Sequence, residues 1–354
     1  MVTAKKLPSG SWRTRVYVGK SADGKAQYVS ITRRTERECI RDALEISTRH
    51  REVSRDSSTM TLGEAIDAYI AAKSNVLSPS TIRGYDQIKR NRFQPEMGEK
   101  LCKLTRQRMQ TAINREALTC SPKTVRNAWG LVSAVMEAYA DGPCKVTLPQ
   151  KVKFVGYTLS ADEIGRLIQA LHDSPVEVPV LLALWLGLRR SELLALTWDA
   201  YDDVSHTLRI SAAMVHNKDN KLVVKGTKTT ESTRILPLPA YIYEKLDSAE
   251  RAGEYIVPMH PTTLTKYYHL ACDAAGIPRI RLHDLRYSNA SVMLLLNVPD
   301  KYAMERGGWS TTQTLKKVYQ NTVTPERKKV NQKIDRYFAK IANKCDTKND
   351  TQKN

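Results

Sequence analysis

Three short runs, Leu282-His283-Asp284-Leu285-Arg286, Gly307-Gly308-Trp309-Ser310 and Thr314-Leu315-Lys316-Lys317-Val318-Tyr319, fall close together in residues 279–321. His283 and Arg286 stand three apart and lead into an apolar segment, Ala290 to Val298. On a helix both side chains would project from one face. Such a face suits a phosphate: arginine offers a planar fork of donors that stays charged at neutral pH, and histidine can donate to an oxygen or move a proton. Neither role requires a metal. By itself, His-x-x-Arg is weak evidence, better explained by a solvated face or a structural ion pair.

Upstream lies Leu186-Gly187-Leu188-Arg189-Arg190-Ser191-Glu192-Leu193, and between the two blocks stands Lys228-Thr229-Thr230-Glu231-Ser232-Thr233-Arg234-Ile235-Leu236-Pro237-Leu238. With these motifs, in this order over about residues 158–321, the chain resembles the tyrosine recombinases of the phage integrase type. The family carries Gly-Leu-Arg-x-x-Glu, a hairpin lysine, His-x-x-Arg, a Gly-His/Trp-Ser turn, and a nucleophilic tyrosine about ten residues later.

The resemblance implies six catalytic residues: Arg189, Lys228, His283, Arg286, Trp309 and the nucleophile Tyr319. Arg189 and Arg286 would donate to the non-bridging oxygens of the scissile phosphate, and Lys228 would protonate the leaving 5′ oxygen. Lys228 is preferred over the nearby Lys225 because it heads the family's Lys-Thr-x-x-Ser-x-Arg pattern. His283 would act as acid or base near the nucleophile. Trp309 departs from the histidine more usual in that turn, and its indole N–H can donate but cannot move a proton. Tyr287 and Tyr302 lack the spacing of a nucleophile. A covalent 3′-phosphotyrosine conserves bond energy, so the resemblance implies no cofactor, neither metal nor ATP.

The chain has 354 residues, 41% of them hydrophobic, which allows two or three domains with cores of their own. A formal charge of +19 favours a polyanionic partner, nucleic acid first. Six cysteines without a Cys-x-x-Cys pair indicate neither a zinc site nor a disulfide framework, and fit a reducing cytoplasm. The longest apolar run, Val178 to Leu188, is too short to span a bilayer, and the polar, basic start carries no secretory signal; no membrane association is expected.

The expected fold is multidomain and mainly α with small β parts. Residues 1–55 alternate cations and aromatics around the turn signal Asp23-Gly24, with β-prone runs Ser11 to Val18 and Ala26 to Thr32 and then a helix, Thr35 to Arg51. A three-stranded sheet with a packed helix resembles the arm-type DNA-binding domain of integrases, with Trp12, Arg13, Arg15, Tyr17 and Lys20 as its DNA contacts. Polar, serine-rich Arg51 to Thr59 is expected to be a linker.

Residues 57–147 carry helical periodicity, a capping box at Thr61 and Glu64, and Ser-Pro starts at Ser78-Pro79 and Ser121-Pro122. This bundle resembles the family's core-binding domain, with Arg83, Lys89, Lys123 and Arg126 as phosphate contacts. Gly142 to Phe154 is expected to be a flexible basic linker. The catalytic domain, 155–342, opens on a capping box at Ser160 and Glu163 and includes three antiparallel strands, Thr207 to Ala212, Lys221 to Val224 and Thr233 to Leu238, with Lys225 to Thr229 in a turn. An amphipathic helix bearing Val330, Ile334, Tyr337, Phe338 and Ile341 follows, packing either in cis or on a neighbouring protomer. Residues 343–354 have the composition of a disordered tail.

The resemblance implies a homotetramer acting on double-stranded DNA at core and arm sites through a Holliday junction, with excisionase and DNA-bending proteins as helpers. The arm-like module points to integration and excision of a phage or conjugative transposon. The alternatives are resolution or inversion by the same chemistry, and a DNA-binding regulator without catalysis.

Overall fold

The computed structural model describes residues 3–20, 26–140, 142–152, 156–226, 233–319, 332 and 335–336, with the side chains of 19–20, 50–55, 314 and 317–319 left out. The expected Asp23-Gly24 turn, the C-terminal amphipathic helix and the 343–354 tail lie outside the described residues. The chain divides into two units, Met1–Lys153 with His216–Lys221, and Phe154–Val215 with Leu222–Asn354.

The first unit begins with an antiparallel sheet in the order β1 (Lys5–Lys6), β2 (Trp12–Lys20), β3 (Ala26–Arg33). Side chains alternate across its two faces. Val16 and Ile31 are buried with Cys39 and Ala43 of helix α1 (Glu36–Thr59), and Trp12 packs on that small core. Arg13, Arg15 and Tyr17 point the other way, paired in register with Thr32, Ser30 and Tyr28.

Helix α1 starts on a capping box, with Thr35 as cap and Glu38 reaching back. It then runs unbroken to Thr59, so the expected linker at Arg51 to Thr59 is helical. That stretch contains no glycine or proline, α1 packs on the bundle, and Ser57 is buried, so tertiary packing outweighs the weak propensity of serine.

The bundle consists of α2 (Leu62–Ala72), α3 (Pro79–Asn91), α4 (Gln94–Met97), α5 (Arg106–Thr119) and α6 (Pro122–Tyr139). Ser78 and Ser121 cap α3 and α6 with proline at the first position. Leu62, Ile66, Phe93, Met109, Ile113, Leu131, Val132 and Val135 fill one core. The segment after α6, expected to be a flexible linker, is strapped to this bundle. Cys144, Val146 and Leu148 pack on the core, the Thr147 N–H donates to Gln110 Oε1 at 2.7 Å, and Arg126 Nε donates to the Pro149 carbonyl at 2.7 Å. Alternate apolar residues in a non-helical stretch account for this attachment.

The second unit opens with α7 (Ala161–Leu171), α8 (Glu177–Trp185) and the short α9 (Arg190–Leu193). Its strands are β4 (Tyr201–Asp202), β5 (Thr207–Ile210), β6 (Ala212–His216), β7 (Leu222–Gly226) and β8 (Arg234–Pro237). Here the expected three-stranded arrangement is corrected. β5 pairs directly with β8 in the order β4-β5-β8, while β6 and β7 form a separate two-stranded ribbon. Leu208, Ile210, Arg234 and Leu236 turn inward, which fixes the β5–β8 register, and Lys225 lies in strand β7 rather than in a turn. Helices α10 (Ala240–Asp247), α11 (Pro261–Ala274), α12 (Leu285–Leu295), α13 (Asp300–Gly307) and α14 (Thr312–Tyr319) complete the unit. Buried α8 and α12 form its centre, and α14 packs against α12 and α13.

Candidate active site

Helix α8 ends at Trp185, and buried Leu186 and Leu188 anchor the exit of the chain. Between them Gly187 has φ +65°, and a Cβ there would lie 3.0 Å from Asn289 Oδ1, so glycine lets the backbone turn against α12. The turn delivers Arg189 to the N-terminus of α9. Glu192, three residues on, accepts the Arg189 backbone N–H through Oε2 at 3.0 Å and the Arg189 Nη1 donor through Oε1 at 2.6 Å. Arg189 Nη2 donates to the Gly308 carbonyl at 3.0 Å.

Glu192 is only 3% exposed and takes a second cation: Arg234 Nη2 donates to Oε2 at 3.0 Å. Burial alone would raise the carboxyl pKa, but Arg234 and Arg189 hold it below the usual range. Arg234 Nε also donates to the Arg306 carbonyl at 3.1 Å, so it grips the end of α13. The next residues form the Gly-Gly-Trp turn. Gly308 has φ +61°, and a Cβ on it would stand 2.8 Å from Arg234 Nη1. A Cβ on Gly307 would meet Trp309 Cζ3 at 2.2 Å. Both glycines are therefore space requirements of this turn.

Arg286, on the first turn of α12, is 4% exposed. Its Nη1 donates to the Gly187 carbonyl and its guanidinium lies 4.3 Å from the centre of the Trp309 ring. Nη2 is buried and has no hydrogen-bond partner among the described residues. Burial, then the charge of Arg189, pushes the Arg286 pKa down to about 9, which leaves it charged at neutral pH. His283 precedes α12 in a single 3-10 turn, Leu282–Asp284, rather than in the same helix as Arg286. Buried Asp284 sets that turn, accepting from the Arg281 backbone at 3.2 Å and from Arg281 Nη2 at 2.6 Å. The His283 ring meets Tyr287 edge-on at 5.7 Å, and one side of it is open to solvent. Partial burial, then the charge of Arg286, pushes its pKa down, so the neutral ring predominates at pH 7. An open cleft of about 460 Å³ lies against His283 and Arg189, with Arg190, His269 and Arg281 on its walls.

Arg189, His283, Arg286 and Trp309 thus converge. Tyr319 is the last residue of α14 and its side chain is not described; Lys228 lies outside the described residues. Sequence reasoning missed Arg234 as a part of this centre, although it stands in the Lys-Thr-x-x-Ser-x-Arg motif, and its inward position in a strand of alternating exposure was the available signal. Among the described residues no group of three His, Cys, Asp or Glu side chains is arranged to hold a metal ion.

The expected DNA contacts divide. Arg13, Arg15 and Tyr17 share the exposed sheet face, with Tyr28 set edge-on to Tyr17 at 5.7 Å, whereas Trp12 belongs to the opposite, core-facing side. The Lys20 side chain is outside the described ones. On the bundle, Arg83 lies on α3 and Lys123 is exposed on the first turn of α6; Lys89 pairs with Asp67 at 2.5 Å, and Arg126 is committed to the Pro149 carbonyl.

Residues 157–326 match the model of the phage integrase family. The chain is 23% identical to an integrase of Saccharopolyspora erythraea over 93% of this chain and 94% of that one. It is 26% identical to a XerC-like tyrosine recombinase of Caldanaerobacter subterraneus over 55% of this chain and 60% of that one. Its fold is similar to that of the Tn1549 transposon integrase in complex with transposon right-end DNA, with a TM-score of 0.61 at 15% identity, covering 78% of this chain and 100% of that structure. It is also similar to a lambda integrase dimer bound to a core site, with a TM-score of 0.54 at 17% identity, covering 89% and 94% of the two chains. Among the described residues no helix is long and apolar enough to cross a membrane.

Proposed function

We propose that this chain, whose residues 157–326 match the model of the phage integrase family, is a tyrosine-type site-specific recombinase that cuts and rejoins double-stranded DNA to integrate and excise a mobile element. The observation that carries the reading is the buried Arg286 Nη2, a charged donor without a protein acceptor among the described residues, beside Arg189 and His283. A buried unpaired donor is costly, and a non-bridging phosphate oxygen would satisfy it.

In the reaction Tyr319 attacks the phosphorus, the bond to the 5′ oxygen breaks, and a 3′-phosphotyrosine forms. Lys228 gives the leaving oxygen its proton, and neutral His283 receives the phenolic proton. Arg189, Arg286 and the Trp309 indole N–H stabilise the extra charge on the phosphorane. Removing one such donor reduces the rate about a hundredfold, or about 3 kcal/mol. The reverse attack by a 5′ hydroxyl rejoins strands with no external energy source and no cofactor. Four protomers exchange strands between two duplexes through a Holliday junction, in a bacterial cytoplasm. The sheet face of Arg13, Arg15 and Tyr17 takes arm sites, and excisionase and DNA-bending proteins set the direction.

The test incubates wild type and Tyr319→Phe with supercoiled plasmid in EDTA at low salt. Wild type alone should relax the plasmid and leave protein on DNA after SDS; adducts from Tyr319→Phe would remove Tyr319 as the nucleophile. Lys228→Ala should be rescued by a 5′-phosphorothiolate leaving group, and rescue of Lys225→Ala instead would reassign the acid.

A further inference from the structure

Resting on the recombinase reading, we infer that Arg234 is a positioning residue that keeps the Arg189 charge available to the scissile phosphate by sharing Glu192. Glu192 is 3% exposed and Arg234 is 6% exposed, so these two charges pair out of water, while the half-buried Arg189 side chain meets the same carboxylate from the side of the cleft. Two cations around one carboxylate leave one unit of positive charge. Their division of labour is visible in the bonds. Arg234 and the Arg189 backbone N–H occupy Oε2, so Arg189 meets the carboxylate with one donor on Oε1 and sends the other terminal nitrogen to the Gly308 carbonyl.

Without Arg234, Glu192 keeps a single cation. Its attraction then draws Arg189 into a closed, bidentate pair with no net charge. Arg234 has a second duty in the same centre. Its Nε bond to the Arg306 carbonyl holds the end of α13, and its head group fills the space beside Gly308, which sets the turn bearing Trp309. One buried side chain thereby registers two separate phosphate-facing elements, the Arg189 turn and the Trp309 turn. Arg234 reaches no substrate in this role and acts only through its neighbours.

The inference predicts an unusual double-variant result. Arg234→Met should lower the rate of SDS-stable adduct formation on DNA by about a hundredfold, the scale of removing one electrostatic donor. Adding Glu192→Gln removes the charge that captures Arg189, so Arg234→Met/Glu192→Gln should recover about tenfold over Arg234→Met. Arg234→Lys, which keeps the charge and loses the Arg306 bond, should lie between wild type and Arg234→Met. Thermal unfolding of each variant separates misfolding from the charge effect.

A merely structural role predicts that the double variant is no faster than Arg234→Met, and that result overturns the inference, as does an Arg234→Met protein of wild-type rate. Absence of adducts from wild type on every DNA would instead remove the recombinase reading on which the inference rests. Recovery in the double variant supports it even if Arg234→Met proves less stable.

Discussion

Gly307→Ala sets two effects of opposite sign against each other. Gly307 is the last residue of α13, and replacing a helical glycine by alanine ordinarily stabilises by about 1 kcal/mol. The new methyl, however, would stand 2.2, 2.4 and 2.7 Å from three atoms of the Trp309 ring, where ordinary contact begins above 3.4 Å. The indole must move, and it is 5% exposed with Arg286 over its face at 4.3 Å. Overpacking of this kind costs about 1–3 kcal/mol, and a desolvated cation–π interaction contributes about 1–2 kcal/mol. The clash therefore wins, with a net destabilisation of about 2–3 kcal/mol. For a unit of this size that lowers Tm by about 5–10 °C.

The same displacement removes one donor and frees Arg286, so adduct formation should fall about as far as in Trp309→Ala. Thermal unfolding and the plasmid cleavage assay read the two effects separately. The smaller ring of Trp309→His should restore Tm to the Gly307→Ala background. A Gly307→Ala protein whose Tm rises, or whose rate stays within about twofold of wild type, would refute the packing argument.

The His283 pKa is lowered from 6.5, so its neutral form persists to lower pH than that of a free histidine. If it accepts the phenolic proton, kcat/KM should fall as pH drops through that lowered value, with the acid limb centred below 6.5 and absent from His283→Gln; a limb centred above 6.5 would exclude the assignment. On the sheet face, Arg13→Ala/Arg15→Ala should reduce the slope of log K against log salt by about 1.8 for arm-site DNA, about 0.9 for each phosphate no longer neutralised, while core-site cleavage is unchanged. Equal slopes for variant and wild type would take the two arginines out of the interface. Trp12→Phe should leave DNA affinity unaltered while lowering the stability of residues 1–55, since Trp12 packs on the core side; a drop in affinity at constant Tm would put it back on the DNA face.

Several features were legible in the chain alone because they depend on neighbours in sequence. The caps at Thr61, Ser78, Ser121 and Ser160 are local hydrogen-bond patterns, and each begins a helix where its motif stands. The order and spacing of Gly-Leu-Arg, His-x-x-Arg and Gly-Gly-Trp carried the resemblance to the phage integrase family, whose model residues 157–326 match. Of the residues named together as DNA contacts of the first strand, Arg13, Arg15 and Tyr17 lie on the exposed face, whereas Trp12 packs on the core side with Val16.

What sequence could not determine depends on groups that meet from far apart in the chain. Serine-rich 51–59 became helix because α1 had a surface to pack on, and 142–149 became a strap because Gln110 and Arg126 supplied partners for its backbone. Strand β8 passed over its neighbour in sequence to join β5, since that pairing buries Leu208, Ile210 and Leu236 together. The shared carboxylate is the clearest case: Glu192 and Arg234 stand 42 residues apart, and neither residue type announces the other. Sequence determined which charges the centre possesses; only the folded chain decided which of them meet, because burial of Glu192 and Arg234 makes their pairing compulsory.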